Sequence, residues 1–428
     1  MNVVTWQNLN ELEKKQALSR PLLSQQSDVI EVAKNIISEV KTLGDEAIFQ
    51  YTEQFDGVRL DELSSTADRM DCDDDTLNAI KQAITNIRMY HQAIKPQTIS
   101  CKTAEGVELE KVYKPIKRVG LYVPGGSAPL VSSLLMLAIP AQVAGCAMKV
   151  VCTPCNKQGR IDPLLLTAAK LCGIDKVYSI GGAQAIAAMA YGTKSIPKVD
   201  KIFGPGNRYV TAAKTLVAQD PQATSIDMPA GPSEVMVLAD KKANPDFVAA
   251  DLLSQAEHGV DSQSMLVTTS EYLCTAVHSS LERQSQQLSR RDIIEQSLNH
   301  SRLILCSNEE QMIDIANRYA AEHLIINTKN ADTLVTQITA AGSIFVGPWA
   351  AEAMGDYITG SNHVLPTYGC ASKYSGLATS DFMNAVSIQK ISQQGIQSMG
   401  QHAIKLAMLE GLDAHALAIR VREKTLCG

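Results

Sequence analysis

The sequence predicts an α/β fold made of two parallel-sheet units with helical N- and C-terminal extensions. Short apolar stretches alternate with helical segments from about residue 118, and the alternation restarts after residue 231. Several of these stretches end in a glycine-rich turn that opens a helix. Strands that alternate with helices form parallel sheets covered on both faces. The length of 428 residues also requires more than one hydrophobic core.

The first hundred residues are predicted to be mainly helical. Apolar residues recur at helical spacing over 29–40, where Gly44 supplies a stop, and again over 77–91, ahead of Pro96. A short strand pair is expected near 107–113.

Further along the chain, short apolar stretches bounded by turn residues are predicted to be strands. They are residues 118–123, 149–152, 176–180, 201–203, 234–239, 264–268, 302–306, 324–327 and 343–346. The last fifty residues are predicted to be helical again.

The composition excludes several classes of function. Hydrophobic residues make up 45% and charged residues 20% of the chain, as in soluble globular proteins. The net charge of −6, without a basic run, argues against a nucleic-acid partner. The most apolar stretch, 130–152, is interrupted by polar residues and Pro140, so no membrane span is predicted. The ten cysteines follow no disulfide pattern and no secretion signal is evident, which predicts reduced thiols in the cytoplasm.

Three glycine-rich turns are candidates for binding phosphate groups. They span 122–127, 181–184 and 203–207, and each follows a predicted strand and opens a predicted helix. Backbone N–H groups in such turns can approach a phosphate at a helix N-terminus. No complete G-x-G-x-x-G is present, so each turn taken alone is better explained as a tight connection. Three turns in one unit favour a shared site, because they would converge on one sheet edge.

Two pairs of residues have the chemistry of metal ligands. Gln255 and His258 lie three residues apart in a helical segment, on one face and off its apolar stripe, so they are expected to face a cleft or solvent. Glutamine is an uncommon metal ligand, and His258 before Gly259 is equally typical of a helix C-terminus. Asp356 and His363 lie in a polar, glycine-rich loop, where a site or a simple turn is possible.

Acid–base chemistry is indicated by Glu322 and His323, which stand next to each other where a predicted strand begins. A carboxylate beside an imidazole suits proton transfer near neutral pH, although such pairs also occur by chance. Glu410 and His415 lie in the helical tail, with His415 in the first turn of the last helix. A solvated surface histidine would explain His415 equally simply.

The cysteines provide weaker candidates. Cys152 and Cys155 form a C-x-x-C pair, but the pair lies at the end of a buried strand and has no second pair to complete a zinc site, so a structural role is expected. Cys146 is a possible nucleophile toward an aldehyde, yet it lies on the apolar side of a helix end, where cysteines usually pack inertly.

Seven segments taken together resemble the histidinol dehydrogenase family, in order and over about residues 118–370. They are GLYVPGGSAPLVSSLLMLAIPAQVAGC, IGGAQAIAAMAYGT, VDKIFGPGN, IDMPAGPSEV, DLLSQAEHG, AEHLI and GDYITGSNHVLPT. Residues 156–160 fit the family least well, and no matched functional position departs from it.

The resemblance implies an activity, its cofactors and the residues of its site. The family oxidises L-histidinol through L-histidinal to L-histidine, using two NAD⁺ and one bound Zn²⁺ per site. The matched zinc ligands are Gln255, His258, Asp356 and His415, and the matched acid–base pair is Glu322 and His323. The matched substrate contacts are Ser233, Gln255, His258, His323, Asp356, Glu410 and His415, and the matched NAD contacts are Tyr122, Gln184 and Asn207.

The resemblance also implies a homodimer with shared active sites, in which Glu410 and His415 reach the partner's site. Both main domains are expected to be Rossmann-like but incomplete. The expected boundaries are 1–20 for an N-terminal helical extension, 21–120 plus 233–378 for a discontinuous first domain, 121–232 for a second domain on the NAD side, and 379–428 for a helical tail exchanged between subunits.

Two alternative functions remain open from the residues alone. One is an NAD-dependent alcohol or aldehyde dehydrogenase that uses a cysteine nucleophile, with Cys146 as the candidate. The other is a nucleotide-binding sensor of imidazole ligands without turnover, against which the Glu322–His323 pair argues, because a sensor needs no acid–base pair.

Overall fold

The computed structural model of the chain describes residues 1–21, 26–67, 72–125, 129–228 and 231–427, and within these ranges it is an α/β protein. The strands are β1 (Asn2–Thr5), β2 (Ser64–Thr66), β3 (Ile99–Ala104), β4 (Val107–Pro115), β5 (Arg118–Tyr122), β6 (Met148–Thr153), β7 (Lys176–Ser179), β8 (Lys201–Phe203), β9 (Ser225–Ile226), β10 (Glu234–Ala239), β11 (Gln263–Thr268), β12 (Arg302–Leu305), β13 (His323–Asn327), β14 (Ser343–Val346) and β15 (Met383–Ile391).

The α-helices of the described ranges connect these strands and cover the sheets. They are α1 (Glu11–Ala17), α2 (Gln26–Leu43), α3 (Asp45–Asp56), α4 (Asp74–Ala93), α5 (Val131–Ala144), α6 (Pro163–Leu171), α7 (Gly182–Tyr191), α8 (Arg208–Gln219), α9 (Pro245–Ala256), α10 (Glu271–Ser285), α11 (Arg291–His300), α12 (Glu309–Tyr319), α13 (Ala331–Leu334), α14 (Glu352–Tyr357), α15 (Gln393–Leu409) and α16 (Asp413–Cys427). Among the described residues, no helix combines the length and the apolar composition that a bilayer span requires.

The strands form three sheets. Sheet I has the order β2-β7-β6-β5-β8-β9 and is parallel except for β2. Sheet II has the order β1-β12-β11-β10-β13-β14 and is parallel throughout. Sheet III is a small antiparallel sheet with the order β15-β4-β3. Two parallel sheets joined by helices confirm the predicted fold class, since such strands need crossover connections.

Both large sheets are buried on both faces. In sheet I, α4, α5 and α6 cover one face and α2, α3, α7 and α8 cover the other. In sheet II, α9, α10 and α11 cover one face, and α12 lies on the other. This double burial explains why the strands are short, continuous apolar runs and do not alternate between apolar and polar residues.

The predicted strands agree with the structure to within one residue at each end. The strand pair expected near 107–113 is longer than predicted, because β3 and β4 reach 99–115. The helical prediction for the C-terminal extension misses β15, whose nine residues pair with β4. The strand forms because β4 offers a long antiparallel edge, which a sequence window around 383–391 does not contain.

The packing of the N-terminal segments does not follow the expected domain boundaries. Residues 1–20 were expected to be a helical extension, but β1 adds a parallel strand to the edge of sheet II and Trp6 is buried behind it. Residues 21–120 were expected to join the domain of 233–378. Instead, α2, α3 and α4 cover sheet I, because their apolar faces pack on α5, α7 and α8.

Candidate active site

The predicted acid–base pair lies at the amino ends of the strands of sheet II. Helix α12 ends at Tyr319, and Ala320 takes a left-handed conformation (φ 51°) that turns the chain toward β13. Glu322 and His323 follow and are both buried, and His323 is the first residue of β13, where the strand was predicted to begin.

The backbone of one residue, Glu234, holds both side chains. The backbone N–H of Glu234, the first residue of β10, donates to Oε2 of Glu322 at 2.8 Å. The carbonyl oxygen of Glu234 lies 3.2 Å from Nδ1 of His323. Because a carbonyl oxygen only accepts, Nδ1 carries the proton. In the neutral ring, Nε2 is therefore the basic nitrogen, and it has no hydrogen-bond partner among the described residues.

Two carboxylates of α14 face that nitrogen. Nε2 of His323 lies 3.5 Å from Oδ1 of Asp356 and 3.8 Å from Oε1 of Glu352. One donor atom from each of these three residues falls within 4.8 Å of the others, an arrangement that could hold a metal ion. Asp356 belongs to a short helix and not to the expected loop. Sequence reasoning missed Glu352, although its spacing of four residues before Asp356 places both on one helical face.

Burial and mutual charge set the protonation of this cluster. Burial raises the pKa of Glu322 to about 8 despite the nearby imidazole. Burial alone would lower the pKa of His323, but Glu322, Asp356 and Glu352 together raise it to about 10. Burial and the charge of Asp356 raise the pKa of Glu352 to about 8. Burial would also raise the pKa of Asp356, but the nearby imidazoles of His323 and His363 overcome it and lower that pKa to about 2. These four side chains by themselves therefore retain protons on the glutamates and one imidazolium–carboxylate pair at neutral pH.

Gln255 and His258 were predicted to share one face of a helix. They do not, because α9 ends at Ala256, before His258. Gln255 lies in the last turn of α9 and is fully buried, and neither atom of its amide finds a hydrogen-bond partner among the described residues. An unpaired buried amide costs about 1–3 kcal/mol, so this side chain is suited to a ligand. His258 is exposed beyond the helix cap.

His363 lies next to the cluster, in contact with Asp356. Its Nδ1 lies 2.9 Å from the carbonyl oxygen of Asp356, and its pKa is lowered by burial against the pull of Asp356, with further lowering by the charges of His323 and His258. Asp356 therefore contacts His363, and His323 and His258 are near enough for charge on them to act on it. Ser233, a predicted substrate contact, is half-buried immediately before Glu234.

The structure does not bring Glu410 and His415 into this cluster within one chain. Both are exposed, Glu410 at the end of α15 and His415 in the first turn of α16. These helices pack against each other, and α15 also packs on β3 and β15.

The three predicted NAD contacts line one cavity at the carboxyl ends of the strands of sheet I. The cavity has a volume of about 1180 Å³ and is lined by Tyr122, Gln184 and Asn207. The hydroxyl of Tyr122 accepts from the N–H of Gly182 at the start of α7, and Asn207 caps α8 by accepting from the N–H groups of two residues in its first turn. The first glycine-rich turn is described only as far as Gly125, and the remainder of 122–127 lies outside the described residues.

The cysteine candidates lie in unsuitable surroundings. Cys146 is buried, its thiol faces the carbonyl oxygen of Phe382, and burial raises its pKa to about 11. Burial also raises the pKa values of Cys152 and Cys155. Thiols in such surroundings are not activated, because the reactive form is the thiolate.

Comparisons with known proteins identify the family of the chain. A family model described as histidinol dehydrogenase matches residues 19–423. A histidinol dehydrogenase of Legionella pneumophila is 55% identical over 430 residues, covering 100% of this chain and 99% of the relative. One of Vibrio parahaemolyticus is 46% identical over 433 residues, covering 100% and 99%.

A solved structure gives the same result for the fold. The crystal structure of histidinol dehydrogenase from Elizabethkingia anophelis matches with a TM-score of 0.95 and 42% identity, covering 100% of this chain and 99% of that chain. The resemblance inferred from the seven segments is thereby confirmed. Because the family model spans nearly the whole chain and the relatives align over their full length, the chain belongs to the histidinol dehydrogenase family.

Proposed function

We propose that the chain oxidises L-histidinol through L-histidinal to L-histidine in one site, with two NAD⁺ reduced and one Zn²⁺ bound per site. The observation that carries the proposal is the buried imidazole of His323, whose Nδ1–H is held by a backbone carbonyl while Nε2 is unpaired. The cavity of about 1180 Å³ lined by the three matched NAD contacts supports the cofactor, since it is large enough for a dinucleotide.

A ligand bound to Asp356 would remove negative charge that favours the imidazolium, leaving His323 neutral with Nε2 as the acceptor. In the first oxidation, Nε2 of His323 takes the hydroxyl proton of the alcohol, and a hydride passes from the same carbon to NAD⁺. The aldehyde then adds water, which Glu322 activates as a base in its carboxylate form, present above the pKa of about 8 that burial gives it. His323 takes a proton again while the hydrate gives a second hydride to a second NAD⁺. The alcohol, one water and two NAD⁺ give the carboxylate, two NADH and three protons, so electrons and atoms balance. Burial of both side chains keeps bulk water from the aldehyde between the steps.

The residues of the site fit a divalent ion. The unpaired, buried oxygens of Gln255 and Asp356 are ligands that lack a partner, and His258 adds an imidazole to the same region. We propose that these three residues and His415 of a second copy hold Zn²⁺. When bound, the ion would serve mainly as a template for the imidazole and amino nitrogens of the substrate. Ser233, Glu410 and His323 complete the proposed substrate contacts.

A homodimer explains the surface around His415. Large apolar side chains there are exposed, among them Leu406 at 62%, Leu409 at 69% and Leu417 at 57%. Several exposed apolar side chains on two packed helices favour an interaction site, and a second copy of the chain would bring its own tail to the first copy's cluster. The nine cysteines whose side chains are described are free thiols, as expected of a protein in the reducing cytoplasm.

The direct test of the activity is the stoichiometry of the reaction. Purified protein with L-histidinol and excess NAD⁺ should form two NADH for each histidine. One NADH per substrate, or free histidinal as the end product, would contradict the two-step scheme. Cofactor and histidinol binding without any NADH would favour the sensor.

The shared site is tested by mixing two inactive variants, His323→Leu and His415→Asn. If His415 acts across the interface, a hybrid dimer has one intact site, and random mixing should restore about a quarter of the wild-type activity. If both residues act within one chain, every site of the hybrid lacks one of them and no activity returns.

A further inference from the structure

Glu234 is buried beside the acid–base pair, yet its side chain points away from that pair into a second network. Its carboxylate is only 2% exposed. Both carboxylate oxygens are bound by Arg20, with Nε to Oε1 at 2.5 Å and one terminal nitrogen to Oε2 at 2.9 Å. The backbone N–H of Tyr368 adds a further bond to Oε1 at 2.9 Å.

Arg20 is itself held in place on several sides. The nitrogen that binds Oε2 of Glu234 also donates to the carbonyl oxygen of Tyr319 at 2.7 Å. The guanidinium lies over the ring of Tyr319, 4.0 Å from its centre. The hydroxyl of Tyr319 donates to Gln263, whose amide holds the carbonyl oxygen of Ser19, the residue before Arg20.

These contacts determine the position of the backbone of Glu234. A bidentate arginine–carboxylate pair has a defined geometry, and at this depth neither charge can turn away without losing its partner. The backbone of Glu234 is therefore fixed from the side-chain end. The N–H and C=O of that residue are the groups that bind Glu322 and His323.

We propose that Arg20 and Glu234 are positioning residues of the proposed reaction. Their ion pair holds the backbone of residue 234 where its carbonyl keeps the proton on Nδ1 of His323 and its N–H orients the Glu322 carboxyl. An arginine 214 residues away in sequence thus sets the tautomer and the direction of the general base. The inference rests on the proposed function, because its kinetic readout is histidinol oxidation.

A purely structural anchor for the N-terminal segment predicts a different result from a positioning pair. An anchor affects stability alone, whereas a positioning pair affects kcat in protein that is still folded. The discriminating variants are Arg20→Met, Glu234→Gln and the double variant. The matched control is Arg318→Met, since Arg318 also ties the N-terminal segment through Glu11 but is exposed and does not contact Glu234.

We expect Arg20→Met to lower kcat about 10–100-fold, because a misplacement of about 1 Å has effects of that size, with both KM values and bound zinc nearly unchanged. The double variant removes the uncompensated buried charge, so its melting temperature should return toward wild type while kcat stays low. Arg20→Lys should recover part of kcat, and Arg318→Met should match wild type.

Recovery of kcat together with stability in the double variant would overturn the proposal. Wild-type kcat in folded Arg20→Met would also overturn it. So would a loss of bound zinc in that variant together with a change in both KM values. If Arg20→Met does not fold, Glu234→Gln alone gives the answer, because it keeps the side-chain volume and one acceptor.

A second readout does not depend on activity. In protein labelled with ¹⁵N-histidine, the Nδ1–H signal of His323 is identified by its absence in His323→Leu. Exchange of that proton with water should speed up in Arg20→Met but not in Arg318→Met. Unchanged exchange would reject the positioning role even if the wild-type protein did not oxidise histidinol, an outcome that by itself rejects only the proposed function.

Discussion

The two large sheets build their sites at opposite ends of their strands. In sheet I, the cavity lies at the carboxyl ends, where glycine-rich turns lead into α7 and α8. In sheet II, Glu322 and His323 lie at the amino ends, beside Glu234 at the start of β10. The carboxyl edge is the usual ligand site of a parallel sheet, and the amino edge is not.

The difference shows two ways of using unpaired backbone groups. At the carboxyl edge, helix N-termini present N–H groups to a ligand, so the backbone does the binding. At the amino edge, the first residue of β10 presents its N–H and C=O to two side chains, so the backbone orients the candidate acid–base pair. We therefore expect large effects from single side chains at the amino edge and small effects at the carboxyl edge.

The largest effect should come from His323. His323→Leu should lower kcat for both oxidations by about 10²–10⁴-fold, the usual contribution of a general base, with KM for NAD⁺ unchanged. Zinc per chain, measured by atomic spectroscopy, should stay at the wild-type level. Loss of zinc would instead place the ion on the set of His323, Glu352 and Asp356. The exposed His278→Leu is the control.

The second effect concerns the pH dependence of stability. It contrasts the raised pKa of His323 with the lowered pKa of His91, which lies in α4 on sheet I. His91 is buried without a carboxylate: Nδ1 contacts Thr379 and Nε2 contacts Asn362, so burial lowers its pKa to about 4. The unfolded histidine takes up a proton near pH 6.5, so between pH 6.5 and 4 the unfolded state binds more protons and is favoured.

His91 should therefore remove about 3 kcal/mol of unfolding free energy as the pH falls from 7 to 4. Urea unfolding gives the unfolding free energy of wild type and of His91→Leu at several pH values. The contribution of His91 is the difference between the two proteins in how that free energy changes with pH. Parallel pH profiles for the two proteins would show that His91 does not titrate as its surroundings indicate.

The smallest effect is expected at the carboxyl edge of sheet I. Asn207→Ala should lower stability by about 1 kcal/mol through loss of the α8 cap and raise KM for NAD⁺ only a few-fold. Asn244→Ala is the matched control, because Asn244 caps α9 in the same way and does not line the cavity. A loss of kcat comparable with that of His323→Leu would contradict the contrast between the two edges.

Local pattern was enough to predict much of this molecule. Strands such as β8, β10 and β14 were found with their observed bounds, because buried parallel strands are short apolar runs between turn residues. The pair Glu322 and His323 was recognisable because both residues are adjacent and reactive by type. The glycine-rich turns were recognisable because each follows an apolar run and opens a helical segment. Tyr122, Gln184 and Asn207, which belong to these turns, do line one cavity.

Contacts between distant segments were beyond the reach of that reasoning. Glu352 joins the cluster only because α14 packs beside the start of β13, and β15 is a strand only because β4 lies beside it. Helix α9 ends before His258, which local periodicity did not reveal.

The sequence by itself determined most of the elements and which side chains have acid–base chemistry, since both depend on residue type and on neighbours within one turn or strand. The tertiary structure decided which sheet each helix covers, which end of a sheet carries each site, and that Arg20 stands behind Glu234. Those outcomes arise from packing and buried charge between segments far apart in the chain, where local propensity carries no information.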